Sequence, residues 1–144
     1  MTAEDNVCIP EDYIPTDDEP FMSDVMRAYF KNKLLDWRSL LIANKNKMDK
    51  DIQQEMLKEP DQLDLAMHEA RLGGEILPEA KRDRMLIAEV DAALERMIMG
   101  SYGYCEETHE PICVARLVAW PIARFSADAQ REREENLQYI RGNV

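Results

Sequence analysis

Met26, Phe30, Leu34, Trp37, Leu41, Met48, Ile52 and Met56, with Asn44 in the same seam, form one apolar stripe at three- and four-residue steps. A stripe of that length cannot be left to water, and the sequence offers no sheet or separate bundle to cover it, so its partner must be another helix of the same chain. Leu86 or Ile87, Val90, Leu94 and Met97 or Ile98 repeat the spacing, and Gly100 closes that second helix. Two long helices joined by a short turn make an antiparallel hairpin. Ser23 stands at the N-cap of the first helix, with Asp24 in the first turn where a negative charge suits the dipole. The turn is predicted at Glu59, Pro60, Asp61 and Gln62, because proline lacks a donor and biases the residue before it away from helix. Gly73, Gly74 and Pro78 interrupt the early part of the returning helix and predict a kink there, read as imperfect packing rather than a hinge.

The rest of the composition agrees with a mostly α chain. At 144 residues and 45% hydrophobic, it can bury one modest core. A charged content of 33% needs the large solvated faces that an elongated helical shape provides. The formal net charge of -11 argues against direct DNA binding, which depends on clustered Lys and Arg. Such cations as exist are mixed with acids, as in Lys81, Arg82, Asp83 and Arg84. The acidic N-terminus does not look like a secretory signal, and no apolar run approaches the roughly 20 residues that span a bilayer. A cytoplasmic location with no membrane association is therefore expected, and Cys8, Cys105 and Cys113 are read as thiols.

Three regions follow. Residues 1–20 carry Pro10, Pro15 and Pro20 among acids with no Lys or Arg, which predicts an extended or disordered arm that Ile9, Tyr13 and Ile14 could dock. Residues 21–99 are the helical hairpin, with its tip near 59–66. Residues 100–144 hold a small globular base and a polar C-terminal helix from about Ser126 to Ile140.

The block from Gly100 to Pro121, GSYGYCEETHEPICVARLVAWP, resembles the zinc-finger segment of the DksA/TraR family, with its Gly-x-Tyr-Gly-x-Cys opening and its Ile, Arg-Leu and Pro spacing. The similarity extends through Arg84 to Met97, the tip Pro60-Asp61-Gln62-Leu63-Asp64-Leu65-Ala66, and Phe21, Met22 and Ser23 followed by Phe30 and Trp37. It covers most of residues 20–142, apart from about one extra residue near Gly73 or Gly74. The resemblance implies a hairpin coiled coil with a zinc-finger-like base, and a regulator that enters the RNA polymerase secondary channel without binding DNA.

One departure is large. The family's four zinc ligands fall at Cys105, Thr108, Ser126 and Ala129, and a structural zinc needs four donors, usually sulfur or imidazole. The site is degenerate, no zinc is expected, and the base must be held by packing of Ile112, Val114, Leu117, Val118, Trp120, Ile122 and Phe125. A replacement site from Cys105, His109 and Cys113 matches no common finger spacing, so these are read as packing or surface residues.

At the tip, Asp61 and Asp64 are three apart where little in the protein itself can neutralise them. Two carboxylates on a narrow probe suit a basic cleft or a Mg²⁺ centre, but on the residues alone capping of the returning helix is the better reading. The resemblance favours the first, because the family's tip has the same two Asp and the Ala that matches Ala66, acting near the polymerase active site. Arg82 and Arg84 are candidate contacts to polymerase or phosphate. The family also uses guanosine tetraphosphate as a co-regulator, held with polymerase by basic residues whose counterparts here are Glu89, Trp120 and Gln130. Since none of these is basic, Arg116, Arg124 and Arg131 are the candidate substitutes for a polyanion.

RNA polymerase is thus the expected partner of a monomeric chain. The rival is a helical adaptor with no polymerase role. Catalysis is not expected, since His68 and His109 are the only histidines and neither has triad or metalloprotease spacing. Redox sensing by Cys105 and Cys113 would require a depressed thiol pKa.

Overall fold

The computed structural model describes residues 7–57, 74 and 77–142. It contains helices α1 (Asp24–Leu57), α2 (Leu77–Met99), α3 (Val114–Ala119) and α4 (Ala127–Gly142). Among the described residues the only β pairing is one isolated antiparallel bridge, Tyr104 to Pro111, and no helix is long and apolar enough to cross a membrane. The expected turn at 59–62, the tip residues Asp61, Asp64 and Ala66, and Gly73 lie outside the described residues. The described residues form two compact units: one from Leu35 to Ala92, the other from the segments that precede and follow it.

The first unit is the antiparallel helix pair. Arg38 near the start of its α1 portion bonds Asp91 near the end of its α2 portion at 2.6 Å. Deeper in α1, Asp49 meets Arg84, earlier in α2, at 3.8 Å, which is the crossed order that antiparallel helices require. Leu41 and Val90 are buried between them, as the stripes predict. Further along the seam departs from the sequence expectation. Met56 is 66% exposed and Glu55 is buried in its place. Leu34, Leu41, Met48 and Glu55 fall on a seven-residue repeat, the period of packed helices, whereas steps of four from Met48 through Ile52 to Met56 overrun it by one residue. In the last turns of α2, which belong to the other unit, Ala93 and Met97 are buried and Ile98 is 87% exposed. Pro78 is the second residue of α2, in the first turn, where a missing N–H is tolerated. It therefore does not break the interior of that helix.

The second unit is the base. Ser23 Oγ accepts from the Met26 amide at 3.3 Å and starts α1. Gly100, at φ 81°, ends α2 with the Gly100 amide on Met97 O at 3.3 Å and the Ser101 amide on Arg96 O at 2.9 Å. That pair of bonds is a Schellman closure, which favours glycine because the backbone is left-handed. Met26, Phe30, Leu34, Tyr102, Ile112, Val114, Leu117 and Ile122 form the core of the base. The expectation fails for Trp120, which is 46% exposed, while Val118 and Phe125 are half-buried. Helix α3 is only six residues long and turns one face, Val114 and Leu117, inward, so neighbours off that face cannot all be core.

A chain of rings crosses this core. Tyr13 meets Tyr29 at 5.8 Å, Tyr29 meets Phe30 at 5.3 Å, and Phe30 meets Tyr102 at 5.8 Å. The Tyr102 hydroxyl donates to Pro121 O at 2.7 Å, and burial pushes its pKa far up. Residues 7–20 contain no helix, yet they are tied to the base. Pro15 is buried, Tyr13 donates to Glu19, and Asp17 Oδ1 accepts from the Val114 amide at 3.2 Å, capping α3 from a distant segment. At the other end of α3, Lys33 Nζ donates to Val118 O at 2.6 Å. Ile14, a candidate anchor of this segment, is 65% exposed.

Candidate functional site

The four positions expected from the resemblance as metal ligands, Cys105, Thr108, Ser126 and Ala129, all lie in the base, and Thr108 and the Ser126 backbone meet Cys105. Cys105 is 1% exposed and belongs to a tight loop: its amide donates to Glu110 O at 2.8 Å and its carbonyl accepts from the His109 amide at 2.9 Å. Burial pushes the Cys105 thiol up, but hydrogen bonds from the Thr108 hydroxyl and from the backbone of Thr108, Ser126 and Glu107 outweigh it and bring the pKa down to about 7. The segment carrying Ser126 and Ala129 is the start of α4. Ser126 Oγ accepts from the Ala129 amide at 3.2 Å as an N-cap, and the Ala129 methyl is buried. A backbone bond joins the two segments, Glu106 N to Arg124 O at 2.8 Å. Two side-chain pairs do the same: Arg124 to Glu106 at 3.4 Å and Arg133 to Glu107 at 2.9 Å.

The other thiols stand apart from this cluster. Cys8 and Cys113 are exposed, none of the three is in a disulfide, and Cys113 Sγ is 3.8 Å from Asp17 Oδ2. His109 is exposed in the left-handed region at φ 61°. Among the described residues no group of three His, Cys, Asp or Glu side chains has metal-holding geometry.

The candidate cationic contacts divide by position. Arg82 and Arg84 are exposed on α2, Arg84 in the pair with Asp49. Arg116 Nε donates to Phe125 O at 3.0 Å, Arg124 meets Glu106, and Arg131 meets Asp128 at 2.8 Å. Trp120 is exposed and Glu89 and Gln130 are half-buried, Gln130 donating to Glu134 at 2.9 Å. Sequence inspection missed Asp17, Lys33, Glu106, Glu107 and Arg133. All five act across long sequence separations and carry no local signal beyond their charge.

Two family models match the chain: the DnaK suppressor protein DksA, N-terminal domain, over residues 26–97, and the prokaryotic dksA/traR C4-type zinc finger over residues 100–135. The RNA polymerase-binding transcription factor DksA of Caulobacter vibrioides is 44% identical over 123 residues, 85% of this chain and 86% of that one. This chain belongs to the DksA/TraR family. The Escherichia coli factor of the same description is 29% identical over 120 residues, 83% of this chain and 79% of its own. The structure of transcription factor DksA2 from Pseudomonas aeruginosa superposes with a TM-score of 0.77 at 28% identity, covering 84% of this chain and 95% of that one.

Membership in a C4-type zinc-finger family raises the question of whether this base fits zinc. It does not. At the four positions that the sequence resemblance assigns to the ligands, the chain presents one thiol, a Thr hydroxyl bonded to that thiol, a Ser hydroxyl engaged as a helix cap, and a methyl group. The hydrogen bonds that would otherwise support a metal thiolate serve the bare sulfur of Cys105.

A pH dependence follows. The folded Cys105 has a pKa of about 7 against its ordinary 9.0, so ionisation favours the folded state. Its contribution is absent below pH 7, grows as pH rises through that value, and is complete above 9, reaching on the order of 2 kcal/mol. Chemical denaturation of the parent and of Cys105→Ala across this range should show the stability difference between them widening with pH. A difference that stays flat would show that the thiol does not ionise on this scale.

Proposed function

We propose that this chain binds RNA polymerase and regulates transcription by inserting its helical hairpin into the secondary channel, without contacting DNA. The single observation that supports this most is the 44% identity over 85% of the chain to a relative described as an RNA polymerase-binding transcription factor. The antiparallel pairing of α1 and α2 is consistent with a probe, and a net charge of -11 is consistent with a protein partner rather than a phosphate backbone. Asp61 and Asp64, with Ala66 beside them, are assigned the action near the polymerase active site, where carboxylates can share a cation or its waters. Arg82 and Arg84 are assigned to contacts with polymerase or phosphate. Guanosine tetraphosphate, as co-regulator, would be gripped through Arg116, Arg124 or Arg131, each of which already engages a group of its own chain.

Competition with a known secondary-channel factor for purified polymerase tests the binding, and the lifetime of a promoter complex tests the action. Mutually exclusive binding with an altered lifetime is expected. Asp64→Asn should leave binding within about twofold, a change of about 0.4 kcal/mol, and abolish the effect on lifetime. Loss of folding in that variant would assign Asp64 to capping instead, and no binding by the parent would leave a helical adaptor.

A further inference from the structure

In a C4 base one metal ion ties two segments together; the resemblance places them at residues 105–108 and 126–129, where Cys105 is the one thiol beside Thr108, Ser126 and Ala129. We propose that two ion pairs, Glu106 with Arg124 and Glu107 with Arg133, close the base in place of the metal, so that charge rather than coordination joins the segments.

The placement carries the inference. Glu106 and Glu107 are the two residues between the first pair of ligand positions, and Arg124 and Arg133 flank the second pair. The partners are 18 and 26 residues apart in sequence, so each pair spans the same gap that the metal would span. The Arg133 guanidinium lies 4.3 Å from the centroid of the Phe125 ring while it donates to Glu107 at 2.9 Å. The ring fixes the cation and lowers the entropy lost in holding the pair. At Arg124 the backbone does similar work, since the Glu106 amide bonds the Arg124 carbonyl at 2.8 Å.

Exposed ion pairs commonly contribute little, and these side chains are a third to a half exposed. The base itself contains the comparison. Arg131 and Asp128 are as close, at 2.8 Å, but lie three residues apart on α4 and join nothing that the helix does not already join. A staple between segments should be felt on unfolding, and a pair within one turn should not.

The experiment is thermal unfolding of the full chain at low and high salt, with and without a strong zinc chelator. Glu107→Lys and Arg133→Glu should each lower the midpoint by about 2–4 °C at low salt. The double variant Glu107→Lys with Arg133→Glu restores an opposite-charge pair, and should return to within about 1 °C of the parent. Arg131→Glu, the control, should shift it by less than about 1 °C. The differences should shrink in about 1 M salt, where screening acts within roughly 3 Å. The chelator should leave the parent unchanged. The proposal is overturned by single variants that do not differ from the parent, by a double variant in which the two losses add, or by a parent midpoint that falls with chelator.

Discussion

Phe30→Ala should destabilise the base by about 3–5 kcal/mol, the cost of removing a buried aromatic side chain and leaving a cavity. Phe30 is fully buried and sits between Tyr29 and Tyr102 in the ring chain. Its loss therefore removes two aromatic contacts together with the apolar area, and the surrounding helices cannot collapse onto the space without shifting α1. Against a total stability of about 5–15 kcal/mol for a domain of ordinary size, this is a large fraction. The thermal midpoint should fall by on the order of 10 °C. Met56→Ala provides the contrast, since that side chain is 66% exposed and should change stability by less than about 0.5 kcal/mol. Circular dichroism melts of both variants decide the matter. A Phe30→Ala protein within about 1 kcal/mol of the parent would mean that the ring chain is not the centre of the core.

Thr108→Cys, Ser126→Cys and Ala129→Cys, introduced together, should convert the chain into a zinc protein holding one metal per molecule. Three observations support convergence of these positions on Cys105. The Thr108 hydroxyl and the Ser126 backbone already bond its sulfur, and Ala129 is buried one helical turn from its start at Ser126. Loss of the Ser126 cap costs about 1 kcal/mol, whereas a structural tetrathiolate site contributes apparent binding of about 10–16 kcal/mol at neutral pH. The triple variant should melt well above the parent when loaded and fall back on chelation. The parent itself should contain no stoichiometric zinc by metal analysis, and a full equivalent would overturn the assignment of the base as metal-free. A triple variant that takes up no zinc would show that the two segments have moved out of the family's geometry.

The long stripes from Met26 to Leu41 and from Val90 to Met97, the Ser23 cap and the Gly100 stop were all legible, because each is a local rule of helix geometry. Gly103 obeys a local rule too: its φ of 89° is left-handed backbone that calls for glycine, whatever the space beside it. The seam at Glu55 and Met56 was not legible, since a difference of one residue between steps of four and a repeat of seven accumulates only when a second helix sets the register. Trp120 was misassigned for a related reason: hydrophobicity says that a side chain prefers burial, not that a six-residue helix has a face left to bury it.

By itself the sequence determined a mostly helical chain with an antiparallel pair and a family resemblance, and with that resemblance the expectation of a base short of metal ligands, because periodicity, spacing and donor chemistry are properties of residues in order. Only the tertiary structure decided the long-range contacts that hold the base. Asp17 on the Val114 amide, Lys33 on Val118 O, the hydrogen bonds around Cys105, and the pairing of Glu106 and Glu107 with Arg124 and Arg133 all join residues distant in the chain. A charged side chain carries no mark of its partner until the backbone has brought the two within a few ångströms, where electrostatics and hydrogen bonding first distinguish one pairing from another.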